Sequence, residues 1–279
     1  MPAEPPDGRA IHNPALMTAP THPPDSSDQP ISANIGQAVE AVQKVAVEQT
    51  LSTRVALLRG RTSLTVAGVA FLGFVGIFVL VKAKRSEALD VAITLRLQTR
   101  QHRPLALLME VVSWPGFPPQ SRVIPPALMA GMWLMRFRVE AVFQLLAWGT
   151  GGLSSVLKGM MKRPRPLPEQ VRTVIAPLGG SSFPSGHVIT YVGTYGFLAY
   201  LIHSLIRPRN VRRPVVAGLL GMLALVGPSR IYQGHHWPTD VAASYLLGLS
   251  YFIALTTLYR RARARWPGPE RRPFRAWFR

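Results

Sequence analysis

Cysteine is absent from the 279 residues, so disulfides and thiolate metal sites are excluded. Acidic residues are scarce, 13 against 32 lysines and arginines, and charged residues of both signs make up only 16% of the chain. With 48% hydrophobic residues, the chain is too apolar for an ordinary soluble domain carrying this many basic groups. A net charge of +19 raises the question of nucleic acid. The basic residues, however, cluster between apolar stretches, as they do in the cytoplasmic loops of membrane proteins. Anionic lipid headgroups are therefore the expected partner of that charge, and nucleic acid is not.

Residues 1–35 lack apolar periodicity and are rich in proline, serine and aspartate, which predicts a disordered tail. In residues 36–61, Val39, Val42, Val45 and Val47 are spaced among polar residues, predicting an amphipathic juxtamembrane helix. Residues 64–81 and 241–258 are uncharged runs of 18, each long enough to span a bilayer. Residues 187–206 form a third candidate span. Residues 139–156 and 214–228 are weaker, and 123–135 is weakest, with Pro125 and Pro126 inside it.

Three motifs sit at the ends of these spans. Lys158 is followed after six residues by Arg165-Pro166, then comes Pro184-Ser185-Gly186-His187, and finally Ser229-Arg230 precedes His236 by five residues and Asp240 by three more. If His187 and Arg230 serve one site, the chain between them crosses the membrane an even number of times. The same parity applies between residues 81 and 158. Four basic clusters then fall on one side, as the positive-inside rule requires. The expected fold is all-α: a six-transmembrane-helix bundle over residues 62–260, both termini cytoplasmic, the motif face outside, and a basic tail over 261–279. Residues 82–120 become an outer loop in which 105–112 dips into the interface and Trp114-Pro115-Gly116 ends the dip.

The chemistry of these groups suits a phosphate. Lys158, Arg165 and Arg230 supply fixed cations for its oxygens. Ser185 stands at a helix N-cap position, so the backbone N–H groups of Gly186 and His187 point outwards at a positive helix end. His236 and Asp240 are four apart and share a face if that turn is helical. An imidazole held by a carboxylate can attack phosphorus, and a second imidazole, His187, can protonate the departing oxygen. Lys162 and Arg163 lie between matched positions and are expected only to add field at the pocket entrance. His235 is expected to point elsewhere, because successive helical residues diverge.

The three motifs, in this order and spacing, resemble the type 2 phosphatidic acid phosphatase superfamily. The resemblance implies His236 as nucleophile, Asp240 as its partner and His187 as general acid. Lys158, Arg165, Ser185, Gly186 and Arg230 would hold the phosphate, with no metal or cofactor. The implied activity is hydrolysis of a lipid phosphate monoester or diphosphate through a phosphohistidine, in a bacterial inner membrane with the site facing the periplasm. Undecaprenyl diphosphate, phosphatidylglycerophosphate and phosphatidic acid are the expected substrates, a polyprenyl diphosphate first.

Other readings stay open on the residues alone. A lipid or sugar hydroxyl could replace water as the final acceptor. A lipid-phosphate binder or flippase would use the same cations, but binding alone does not require two imidazoles. A metal hydrolase using His187, His236 and Asp240 is disfavoured by the adjacent cations. The vanadium haloperoxidases have related motifs but are soluble.

Overall fold

The structure, a computed structural model, describes residues 60–174, 176 and 179–266. The expected tail 1–35, nearly all of the amphipathic helix 36–61 and the end of the basic tail lie outside the described residues. Every regular element among the described residues is helical. They are α1 (Gly60–Lys82), α2 (Glu87–Gln98), α3 (Arg103–Ser113), α4 (Gln120–Leu134), α5 (Arg138–Trp148), α6 (Thr150–Met161), α7 (Gly186–Leu205), α8 (Arg209–Tyr232) and α9 (Pro238–Arg265). Four of these, α1, α7, α8 and α9, are long and apolar enough to cross a membrane.

The remaining spans expected from sequence are shorter or broken. At 15 residues α4 rises about 22 Å at 1.5 Å per residue, short of a hydrocarbon core. Its internal Pro125 and Pro126 also remove two backbone donors. α5 and α6 are nearly continuous, interrupted at Gly149, where the Thr150 hydroxyl turns back to the Ala147 carbonyl at 2.8 Å. Residues 261–265, assigned to a tail from sequence, continue α9.

α7 is the axis of the bundle and packs against α5, α6, α8 and α9. Small residues permit this. A Cβ at Gly193 would lie 2.4 Å from the Ala147 carbonyl, and one at Gly248 of α9 would lie 2.9 Å from Val192. Burial follows position: the apolar window of α7 is 61% buried, whereas that of α1 is 22% buried and turns Leu64, Val69 and Leu72 outwards. The inner side of α1 still matters, because Phe74 and Phe78 pack on Phe183, two residues before Ser185.

The ends of α6 and α8 and the starts of α7 and α9 meet at one end of the bundle. At the opposite end, Glu140 of α5 accepts from Tyr259 (2.8 Å) and pairs with Arg263 (3.1 Å), both on α9. The segment expected to be an outer loop forms two helices. α3 runs beyond the expected dip, and Trp114-Pro115-Gly116 closes it in a single 3-10 turn. Two hydrogen bonds fasten it at the motif end: Tyr191 to the Val112 carbonyl, 2.9 Å, and Ser113 to Ser229, 2.7 Å.

Candidate active site

A cavity of about 440 Å³ opens where the motifs converge, lined by Lys158, Arg165, Gly186, His187 and His236. Ser185, Arg230 and Asp240, also expected in the site, lie buried behind that lining. The cavity continues between α6 and α7 past Ser154, Thr190 and Thr194 towards Trp148 and Tyr195. Hydroxyls placed along an apolar span such as α7 are costly unless used. Those of Ser154 and Thr194 are buried without a hydrogen-bond partner among the described residues.

His236 is oriented by backbone. Its Nδ1 lies 2.7 Å from the Ser182 carbonyl. A carbonyl only accepts, so Nδ1 carries the proton and Nε2 keeps its lone pair. Arg165 approaches that Nε2 at 3.3 Å, and its second Nη reaches the Gly179 carbonyl. Burial, with Arg230, Arg165 and Lys158 close by, holds the His236 imidazole well below its usual range. It is neutral at neutral pH, the state in which nitrogen can attack. Lys158 is held by the Ser181 carbonyl at 2.6 Å.

Asp240 does not sit as expected. His236 precedes α9, whose N-cap is Trp237, so the two share no helical face. The nearest Asp240 oxygen is still 3.7 Å from Nδ1. That oxygen accepts from the Trp237 backbone N–H at 2.9 Å, and the other takes Arg163 at 2.6 Å. The expectation that Arg163 only adds field at an entrance is therefore overturned: it points inwards, largely enclosed, between two carboxylates, Asp240 and Asp90 of α2. It gets there because Lys162 ends α6 in the left-handed conformation (φ 49°), turning the chain back on itself.

Ser185 is the N-cap residue of α7 in position only. Its hydroxyl makes no capping bond and has no partner among the described residues, while its backbone N–H donates to Ser244. Arg230 is wholly buried and donates to Gln233, Ser113 and His235 Nδ1. His235 does point away from the cavity, with Nε2 2.8 Å from the Val174 carbonyl. It acts as an acceptor for Arg230, and burial plus that guanidinium push its pKa down to about 4. Gly234 makes the turn possible, because its φ is +68° and a Cβ would lie 2.2 Å from the Arg172 carbonyl.

The segment between α3 and α4 closes the other side. The Phe117 ring meets His187 edge-on at 4.7 Å and lies 4.8 Å from the Arg230 guanidinium. Gly116 lies against His187 so closely that a Cβ there would fall 2.1 Å from the ring. Sequence reading missed Asp90, Gly116, Phe117, Ser154 and Thr194. None lies in a motif, and only the Trp-Pro-Gly break marked this stretch as special.

Fold and site together define an all-helical bundle with two imidazoles and several cations gathered at converging helix ends. Residues 140–264 match the family model of the PAP2 superfamily. Phosphatidylglycerophosphatase B of Bacillus subtilis is 35% identical over 129 residues, which cover 44% of this chain and 60% of that protein. Undecaprenyl-diphosphatase BcrC of the same organism is 39% identical over 87 residues, 31% of this chain and 40% of that one. These matches thus span under two thirds of either relative. Among solved structures, a transmembrane PAP2-type phosphatidylglycerolphosphate phosphatase from Bacillus subtilis superposes with a TM-score of 0.62 at 25% identity, covering 70% of this chain and 96% of that one. The solved relative is a transmembrane PAP2-type phosphatase, and the four apolar spans mark this chain as an integral membrane protein.

Proposed function

We propose that this chain is a lipid phosphatase that hydrolyses a phosphate monoester or diphosphate through a phosphohistidine, without a metal. The observation that carries the reading is His236: its Nδ1–H is fixed on Ser182, and Nε2 faces a cavity that Lys158 and Arg165 make positive. A phosphate entering there draws the Arg165 N–H groups onto its oxygens and frees the Nε2 lone pair. Nε2 then bonds to phosphorus as the bond to the leaving oxygen breaks, and His187 delivers a proton to that oxygen. In the second step water, deprotonated by His187, displaces the imidazole. The first N–H groups of α7, at Gly186 and His187, stabilise the oxyanion charge. Arg230 and Ser185 support that phosphate site from behind, and Asp240 offsets the charge that His236 gains.

α1, α4, the bent α5–α6 pair, α7, α8 and α9 would make six crossings. The basic turns at residues 136–138 and 207–213 and the end of α9 lie opposite the site. Positive-inside orientation therefore puts that end and both termini in the cytoplasm and the site on the periplasmic face of a bacterial inner membrane. Phosphatidylglycerophosphate, undecaprenyl diphosphate and phosphatidic acid are the candidate substrates, with lipid headgroups as the other partners. The test is phosphate release by the detergent-solubilised protein from each lipid without divalent metal. His236→Ala should lose about a thousand-fold or more in kcat. Full activity in that variant would remove the nucleophile assignment, and release only after metal addition would remove the mechanism.

A further inference from the structure

Resting on that reading, we propose that Asp90 and Arg163 are positioning residues for His236, acting through Asp240. The geometry is a chain of three charges, two buried carboxylates bridged by a largely enclosed guanidinium. One Nη of Arg163 donates to Asp240 (2.6 Å) and to the Thr239 hydroxyl (2.8 Å). The other donates to Asp90 (2.6 Å) and to the Ser86 hydroxyl (3.1 Å). Asp90 in turn accepts from the Thr239 backbone N–H (2.9 Å) and hydroxyl (2.8 Å). Both oxygens of both carboxylates are thus fixed, and the guanidinium fork bridges them in a way a lysine ammonium could not.

The charge count explains why two carboxylates are there. Asp240 with Arg163 alone is a net-neutral pair and acts on the imidazole only as the nearer end of a dipole. Asp90 restores one net negative charge to the group, and that charge stands beside the imidazole. Everything else charged around His236 is positive: Lys158, Arg165 and Arg230, with His187 and His235 as further titratable neighbours. When Nε2 bonds to phosphorus the ring becomes cationic, its Nδ1–H 3.7 Å from Asp240. The net negative charge of the Asp90–Arg163–Asp240 chain then favours the bonded state over the resting one, which accelerates the step and leaves phosphate docking unchanged. Asp90 lies on α2, ahead of the family-matched segment, so the element read from sequence as a loop takes part in the chemistry from behind.

The test compares two ligands of the full-length protein in detergent. Orthovanadate can bond to Nε2 in the geometry of phosphoryl transfer, whereas inorganic phosphate only docks on the cations. In Asp90→Asn, vanadate binding measured by tryptophan fluorescence should weaken about tenfold or more, and phosphate binding should stay within about twofold. kcat should fall by the same factor as vanadate affinity with KM nearly constant, and Asp90→Glu should recover part of it. Arg163→Lys, which keeps the charge but loses the fork, should behave like Asp90→Asn, and serves if the latter does not fold. Equal weakening of both ligands, or unchanged vanadate binding in both variants, overturns the proposal. Failure of the phosphatase reading looks different: the wild type itself would then release no phosphate and bind vanadate no better than phosphate.

Discussion

Two stretches of chain meet at the cavity, and they differ in kind. Residues 158–240 bring the reactive groups: Lys158, Arg165, His187 and His236 all face the space where a phosphate would sit. Residues 86–117 bring little that could touch one, yet they hold the first stretch in place. Asp90 grips Arg163, Gln98 ties the Arg172 backbone to the end of α8, Ser113 reaches Arg230, and Phe117 lies on His187. Reactive groups are recognised by residue type and spacing. Their rigidity, on which rate depends steeply, comes from a stretch with no motif.

The largest effect expected from breaking this division is at Gly116. A methyl there needs the space of the His187 ring, 2.1 Å away, so Gly116→Ala must displace the proposed acid. The expected loss is about a hundred-fold in kcat, the scale of a 1 Å misplacement. Gly159 is the counterpart inside the first motif, between Lys158 and Arg165, and a Cβ there meets nothing within 4 Å. Gly159→Ala should keep activity within about twofold, since alanine only favours the helix. Phosphate-release assays on the pair decide the matter: a motif glycine that matters more than Gly116 would reverse the division of labour.

A smaller loss, in stability rather than rate, is expected at Gln98. Its amide donates to the Arg172, Ile231 and Tyr232 carbonyls, and its oxygen accepts from the Arg172 backbone N–H at 3.0 Å. Gln98→Ala strands these buried groups at a cost of about 2 kcal/mol. The variant's melting temperature in detergent should fall while the kcat of the folded fraction stays within a few-fold. A large kcat loss at unchanged melting temperature would place Gln98 with the reactive groups instead.

The same division explains what could be read from sequence. Motif spacing placed Lys158, Arg165, His187 and His236 together because each sits within a turn or a few residues of a helix end. The α8 span, read only over 214–228, was weaker because Pro214 and Pro228 lie inside the helix, whereas α1, α7 and α9 were legible as apolar runs. α4 and the α5–α6 pair were less so, because prolines and glycines break the run that hydropathy detects. Asp90 carries no local signal: it is a single carboxylate 73 residues from the arginine it pairs with. Arg163 was misjudged because spacing rules count it as filler, whereas the left-handed turn at Lys162 sends it inwards. The helical face expected to join His236 and Asp240 is absent because His236 stands one residue before the helix cap, although the two groups still approach to 3.7 Å.

The smallest effect concerns pH, and it belongs to the motif stretch. His235 titrates near 4 in the folded protein, against 6.5 for an ordinary histidine, because burial and Arg230 disfavour its cation. Between those two values the unfolded chain binds the proton and the folded chain does not. Stability is therefore complete above pH 6.5 and declines as pH falls towards 4. His236, lowered in the same direction, steepens the decline. The stretch from α2 to Phe117 contains no buried histidine and adds nothing in this window of the same origin. Melting temperature in detergent should drop by a few degrees from neutral pH to pH 5.5. His235→Gln can still accept from Arg230 and donate to Val174, so it should flatten that slope while leaving the neutral-pH value near the wild type. A slope unchanged in His235→Gln would mean that the acid sensitivity lies outside the Arg230–His235 contact.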